Sequence, residues 1–185
     1  LRRENDRLRN QNEGLESDKD RLQVRIDRKN QDLVPRRRQL RRKQDQRTDR
    51  QNRRQRLKRQ NDQLKAENTD NERKIERATR RIEQLRKDLE VAETQEEKKA
   101  IRQKIQETRE RRRGFQEKIA ANKSTIQNNQ DRMQKLRTEI QALNRDIDRL
   151  QRDVNALTAD INNLKDEQQR LQNQITRNER VIVGN

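Results

Sequence analysis

The sequence predicts an all-α fold, namely a long, extended and segmented coiled coil of two strands that contains no globular domain. Large apolar residues recur in a seven-residue frame, three and four apart, which makes a stripe on a helix too narrow for a globular core. Apolar residues are only 24% of the chain, charged residues are 45%, and the one aromatic residue is Phe115. Such a chain cannot offset its ordering entropy by burying its own surface, so a partner helix must cover the stripe.

The most regular frame runs from Ile101 to Ile182. One of its rows carries mainly Ile and Val and the other mainly Leu, as in Ile140 and Leu143. This arrangement favours parallel pairing of two strands. The predicted oligomerisation core consists of the apolar positions of this frame and of the frame in the first half: Leu8, Leu15, Leu22, Ile26, Leu57, Leu64, Ile75, Ile82, Leu85, Leu89, Ile105, Ile119, Ile126, Met133, Leu136, Ile140, Leu143, Ile147, Leu150, Val154, Leu157, Ile161, Leu164, Leu171 and Ile175.

Composition and frame divide the chain into five segments. They are a first coiled-coil segment (1–34), a basic linker or weakly paired helix that begins at Pro35 (35–56), a second coiled-coil segment (57–92), a register slip (93–100) and a third coiled-coil segment (101–183). Pro35 lacks an N–H and clashes with the preceding turn, which predicts a kink or a helix end. Across 93–100 the frame slips without Gly or Pro, so we expect a continuous helix there with a loosened or locally unwound core.

Three Asn residues are candidates for setting the register: Asn5, Asn12 and Asn61 each precede a core Leu by three residues. A buried Asn costs stability, but it can pair with its counterpart only when two strands are in register. The sequence therefore predicts that these residues select one alignment of the strands.

The charges that flank the core argue against an identical parallel partner. In a parallel homodimer most of the flanking contacts would join like charges, for example Lys118 with Lys123. Two alternatives remain, namely a more acidic strand from another protein or an antiparallel copy of the same chain. The antiparallel alternative predicts a self-contact centred near Leu136, in which Arg111 would face Asp160.

A basic tract occupies Arg36 to Arg59, where thirteen Lys and Arg residues stand against Asp45 and Asp49 alone. Within it and just before it, one core row loses its apolar residues over four heptads, at Lys29, Arg36, Lys43 and Arg50. The tract is interpreted as a linker, as a contact to an acidic protein surface, or as a nucleic-acid contact, and assembly is favoured over nucleic acid. The candidate assembly or anion contacts are Arg36, Arg37, Arg38, Arg41, Arg42, Lys43, Arg53, Arg54, Arg56, Lys58 and Arg59.

Composition also limits the chemistry. The chain has no His and no Cys, so it lacks a thiolate nucleophile, an imidazole base and the usual zinc ligands. We expect no enzyme activity, cofactor, metal or small-molecule substrate. We also expect no membrane span and no signal peptide, and an intracellular location in the cytoplasm or cytoskeleton. Leu1 is not an initiator Met, which is compatible with a fragment or a processed product.

Nine residues resemble a known family. Asp20 to Arg28, D-R-L-Q-V-R-I-D-R, is similar to the motif near the start of the intermediate-filament rod, where D-R-L/F-x-x-Y-I-D/E-K/R is typical. The layout of a short first coil, a linker and longer coils is similar too. Arg25 stands where the family has Tyr, Leu33 arrives one residue late, and no rod-end motif follows. The resemblance implies parallel dimers that assemble laterally into filaments.

These observations together predict a structural or scaffolding coiled-coil protein that oligomerises and builds a filament, fibre or cytoskeletal bundle. The alternatives are a basic coiled-coil protein associated with nucleic acid, and a coiled-coil tether subunit of a heteromeric assembly.

Overall fold

The computed structural model describes residues 1–184 and confirms the all-α prediction. It contains two helices, α1 (Arg2–Val91) and α2 (Gln95–Gly184), and no strand occurs within the described residues. Searching those residues for a helical stretch long and apolar enough to cross a membrane finds none.

The contacts divide the chain into two units, each built from part of α1 and part of α2. Unit 1 combines Leu1–Thr48 with the part of α2 from Gln141 onward, and unit 2 comprises Asp49–Ile140. Each unit therefore combines residues from several of the five segments predicted from the sequence, because residues far apart in the chain pack together.

In unit 1 the two helical segments run antiparallel. Lys19 bonds to Gln172, whereas Lys43, later in α1, bonds to Asp146, earlier in α2. The buried core joins aliphatic residues of both helices, Leu22, Ile26, Leu33, Leu40, Ile147, Val154, Ile161 and Leu164, and Leu150, Leu157 and Leu171 pack against it. The apolar stripe of each segment is thus covered by the other segment of the same chain.

In unit 2 the end of α1 and the start of α2 also pair in antiparallel orientation. Near the turn that joins them, Ile82, Leu85 and Ile105 form a buried cluster, with Leu89 and Ile101 packed against it. Farther from the turn the buried side chains are mainly amides: Asn61, Asn68, Asn71 and Asn129.

All residues of the predicted core are buried or half-buried, and none is exposed. The helix that covers them belongs to the same chain. The parallel orientation that the Ile and Leu rows favour is not the one adopted within either unit, since the contacts of each unit pair its two helical segments antiparallel.

The helix end that is one of the two effects expected of Pro35 does not occur, since α1 is helical on both sides of it. Pro35 and its neighbour Val34 are exposed, whereas Leu33 and Leu40 are buried against α2. The carbonyl that loses its donor therefore lies on the outer side of α1, where water can satisfy it, and the buried neighbours hold the helix in place. Residues 36–56 are likewise helical, and Leu40 is part of the core.

The continuous helix expected over 93–100 is wrong. The chain leaves the helix at residues 92–94 and α2 begins at Gln95. Thr94 caps α2, because its hydroxyl accepts a hydrogen bond from the Glu97 N–H at 3.1 Å, and the Glu97 carboxylate accepts bonds from the N–H groups of Thr94 and Glu93, both at 3.2 Å. This is a capping box, T-x-x-E, which marks the start of a helix. The box fixes the start of α2 at Gln95, and α1 ends before it at Val91.

These hydrogen bonds also stabilise the charged form of Glu97. The Thr94 N–H, the Thr94 hydroxyl and the Glu93 N–H hold the pKa of the carboxyl below its ordinary value. These bonds contribute their full stabilisation of the fold at pH values above the ordinary glutamate pKa. The contribution is lost as the pH falls through the lowered pKa of Glu97.

Replacing the cap should loosen the turn. Thr94→Ala removes the acceptor for the Glu97 N–H, and we expect a loss of about 1 kcal/mol in the free energy of unfolding, measured by urea denaturation. Thr69→Ala is the matched control, because Thr69 lies inside α1 and Ala is the better helix former. Equal effects of the two substitutions would contradict the capping role.

Candidate functional site at the contact between the helices

Cations of α1 and acids of α2 meet one heptad apart along the contact. In unit 1 the pairs, with their nitrogen-to-oxygen distances, are Lys29 with Asp160 (2.6 Å), Arg36 with Asp153 (3.3 Å) and Lys43 with Asp146 (2.9 Å). In unit 2, Arg50 pairs with Glu139 at 2.6 Å in the equivalent position. We call these four pairs the charge ladder. The cations are the residues at which the α1 core row lacks apolar side chains.

The core of unit 1 stays closed although the α1 row carries Lys29, Arg36 and Lys43, and no aliphatic side chain, at these three positions. Ile147, Val154 and Ile161 follow the three acids directly in α2, and all three are buried. The side chain of Lys43 is only 31% exposed. The methylene stems of the cations therefore cover the α2 residues while their charged ends reach the neighbouring carboxylates.

Asp146 shows the electrostatic effect of the ladder. The hydrogen bond from the Lys43 ammonium holds the pKa of this carboxyl below its usual value, and the charges of Lys43 and Arg149 act in the same direction. Exposed ion pairs add little stability one by one. Their effect is on pairing, because the acidic row of α2 meets opposite charges only where it faces this row of α1.

The self-contact expected near Leu136 loses its electrostatic support. That contact was expected because Asp160 and the other acids of its row would face cations such as Arg111 in a second copy of the chain. In the structure Asp160 pairs with Lys29, and Glu139, Asp146 and Asp153 of the same row are paired with α1 in the same way.

Three Asn–Asn contacts cross between the helices. In unit 1, Asn178 donates to Asn12 at 2.7 Å, and in unit 2 Asn129 donates to Asn61 at 2.8 Å and Asn122 to Asn68 at 2.9 Å. The two residue numbers of each pair add up to 190. Asn12 and Asn61, which the sequence singled out, are thus bonded to different residues of the same chain and not to their own counterparts in a second copy. Asn5 is half-buried near the start of α1 and also has a polar contact.

Asn71 differs from the other buried Asn residues. It is 3% exposed, and its side-chain nitrogen has no hydrogen-bond partner. The register of the Asn pairs places Ile119 opposite, and Ile119 offers no polar group. Asn71 therefore carries the cost of a buried donor without a compensating bond.

The cations of the basic tract have different surroundings. Arg36, Lys43 and Arg50 belong to the charge ladder, and Arg47 is half-buried and donates to Asn144 at 3.4 Å. The other nine are exposed, in unit 1 at Arg37, Arg38, Arg41 and Arg42, and in unit 2 at Arg53, Arg54, Arg56, Lys58 and Arg59. The tract is therefore partly a structural element of the contact and partly a free cationic surface.

A groove opens beside the unit 2 cations. It has a volume of about 370 Å³ and is lined by Arg53, Arg56, Leu57, Gln60, Arg132, Lys135, Leu136 and Glu139. Two cations come from each helix. The contribution of α2 was not predicted from the sequence, although residues 132–137, R-M-Q-K-L-R, contain three cations. Only the antiparallel register brings these three cations next to the basic tract, and the sequence alone does not give that register.

Within residues 1–184 no group of three or more His, Cys, Asp or Glu side chains is arranged to hold a metal ion. No protein-family model, no curated protein and no solved structure matches the chain. The function is therefore argued from the contact between the helices and from the charges that the contact leaves outside.

The buried Asn residues should respond to the same substitution with opposite signs. Asn71→Leu removes an unpaired donor, and we expect a gain of about 1 to 3 kcal/mol in the free energy of unfolding. Asn61→Leu takes the 2.8 Å acceptor from Asn129, which is itself buried and keeps only its 3.2 Å bond to Gln60, and we expect a loss of about 1 kcal/mol. Urea denaturation of both variants is the measurement. A gain for both, or a loss for both, would show that pairing does not decide the cost of these amides.

Proposed function

We propose that this protein is a structural coiled-coil protein whose two strands are α1 and α2 of one chain, and that it serves as a scaffold or tether. The observation that carries the proposal is that helices of the same chain cover the predicted oligomerisation core. Each residue of that core is buried or half-buried. A stripe that is already covered leaves little apolar surface for a further strand. Contacts to other molecules then involve the charged exterior.

The resemblance to the intermediate-filament rod does not support this proposal. It implies a parallel dimer, whereas Leu22 and Ile26, which lie in the similar stretch, pack in an antiparallel contact with α2. Assembly into a filament and a cytoskeletal location stay predictions from the sequence.

Self-pairing makes a quantitative prediction for the isolated protein. Pairing within one chain is independent of concentration, whereas pairing between chains is strengthened by mass action. We expect sedimentation equilibrium to give a single species of 22.6 kDa. We also expect the thermal midpoint to stay constant over about a hundredfold range of protein concentration.

A species of twice the chain mass, with a midpoint that rises with concentration, would contradict the proposal. Ile147→Asp is a useful companion, because a charge in the unit 1 core should lower the midpoint without making it depend on concentration.

A further inference from the structure

A dense group of exposed cations lies in one part of unit 2. Residues 53–60 of α1 and 130–137 of α2 together contain eight cations and one acid, Asp131. The eight cations are all exposed: Arg53, Arg54, Arg56, Lys58, Arg59, Arg132, Lys135 and Arg137. We propose that this cationic cluster binds the sugar–phosphate backbone of double-stranded nucleic acid, with the groove between Arg53, Arg56, Arg132 and Lys135 as its centre.

The groove presents cations from two sides. Arg53 and Arg56 come from α1, Arg132 and Lys135 come from α2, and the two members of each pair are three residues apart, so they project from the same face of their helix. Guanidinium and ammonium groups are the usual partners of phosphate, and Arg can donate two parallel hydrogen bonds to it. Glu139, the acid at the groove, is held by Arg50 at 2.6 Å.

The cluster is not neutralised by the protein itself. Arg53 pairs with Asp49 at 2.9 Å, while the other seven cations form no ion pair within the described part of the chain. The charge ladder shows that this chain can place acids opposite cations. In this part of unit 2 it does not, and the repulsion among the cations opposes folding.

The core around the cluster has few buried aliphatic residues, so it contributes little stability to offset that repulsion. On α1 no aliphatic residue between Leu40 and Ile82 is fully buried, and Leu57 and Leu136 at the groove are only half-buried. A polyanion that neutralises the cluster would relieve the repulsion and stabilise unit 2.

The composition of the cluster favours a phosphate backbone over other acidic partners. It contains no aromatic side chain on which bases could stack, since Phe115 lies elsewhere, against Lys74. An amphipathic helix would find only Leu57 and Leu136 for its apolar face. A lipid surface would find no exposed large apolar residue to insert, since the exposed ones, such as Val34 and Val91, lie outside the cluster. Contacts to phosphate need only the cations, so we expect binding that does not depend on base sequence.

The test measures binding of the full chain to a fluorescent DNA duplex of random sequence over a series of salt concentrations. Four phosphate contacts predict that the logarithm of the binding constant falls with the logarithm of salt with a slope of about −3 to −4. The groove variant carries Arg53→Gln, Arg56→Gln, Arg132→Gln and Lys135→Gln. Gln is neutral and a good helix former. We expect its affinity to fall at least about tenfold and its slope to lose about 3.

A matched control removes the same charge from unit 1, with Arg37→Gln, Arg38→Gln, Arg41→Gln and Arg42→Gln. These four residues are also exposed. They differ from the groove because the α2 stretch that faces them, residues 148–153, has two acids and two cations and hence no net charge, whereas residues 132–137 at the groove have three cations and no acid. We expect the control to lose less than about threefold in affinity. Circular dichroism and thermal midpoints of both variants, without DNA, show whether the helices are retained.

Three results would overturn the proposal. The first is no salt-sensitive binding of the unmodified chain to the duplex. The second is an equal loss in the groove variant and the control, which would mean diffuse attraction to the whole surface. The third is equal or tighter binding, at the same ionic strength, to polyglutamate or to vesicles of phosphatidylcholine and phosphatidylserine. The outcome leaves self-pairing untouched, because the substituted residues lie outside the buried rows.

Discussion

The need to cover two narrow apolar rows governs the whole structure. Neither helix can bury its rows on its own, and the composition provides no other core. The turn at 92–94 resolves this by returning the chain antiparallel to itself, so that in unit 2 the start of α2 covers the end of α1. In unit 1 the later part of α2 covers the earlier part of α1. The capping box is small, but it decides where α2 begins and hence which residues meet.

Charge and amide contacts contribute differently to the alignment. If α2 slipped by one heptad in unit 1, Lys29 would face Asp153 and Arg36 would face Asp146, so the charge ladder would still find opposite charges. The Asn contact of unit 1 would be lost, because Asn12 would then face Leu171 and lose its bond to Asn178. In unit 2 the same slip would lose one of the two Asn contacts and keep an Asn opposite an Asn, since Asn61 would face Asn122. The ladder therefore selects which faces meet, whereas the Asn12–Asn178 pair penalises a slip in unit 1.

Much of the fold follows from sequence alone, and the limit has a physical cause. The heptad rows identify which residues are buried, including Leu22 and Ile161, because the stripe depends only on helix periodicity. The same rows do not say which helix covers them, since any matching stripe would serve. The antiparallel orientation depends on the turn, whose signal was the T-x-x-E spacing of Thr94 and Glu97.

The candidate site shows the same limit. The cations Lys29, Arg36 and Lys43 and the acidic row of α2 are visible in the sequence at heptad spacing. Their pairing requires the register, and so does the addition of Arg132 and Lys135 to the basic tract. Sequence patterns thus identified the charged groups, and only the position of the turn assigned their partners.

The most direct test of the central claim is disulfide formation between the two helices of one chain. The chain contains no Cys, so introduced pairs report without background. Leu64→Cys with Ile126→Cys joins positions whose numbers add up to 190, as in the Asn pairs, whereas Leu64→Cys with Ile119→Cys represents a slip of one heptad. The account predicts a rapid disulfide within the monomer for the first pair and little for the second. Disulfide-linked dimers from the first pair, or equal closure of both pairs, would contradict it.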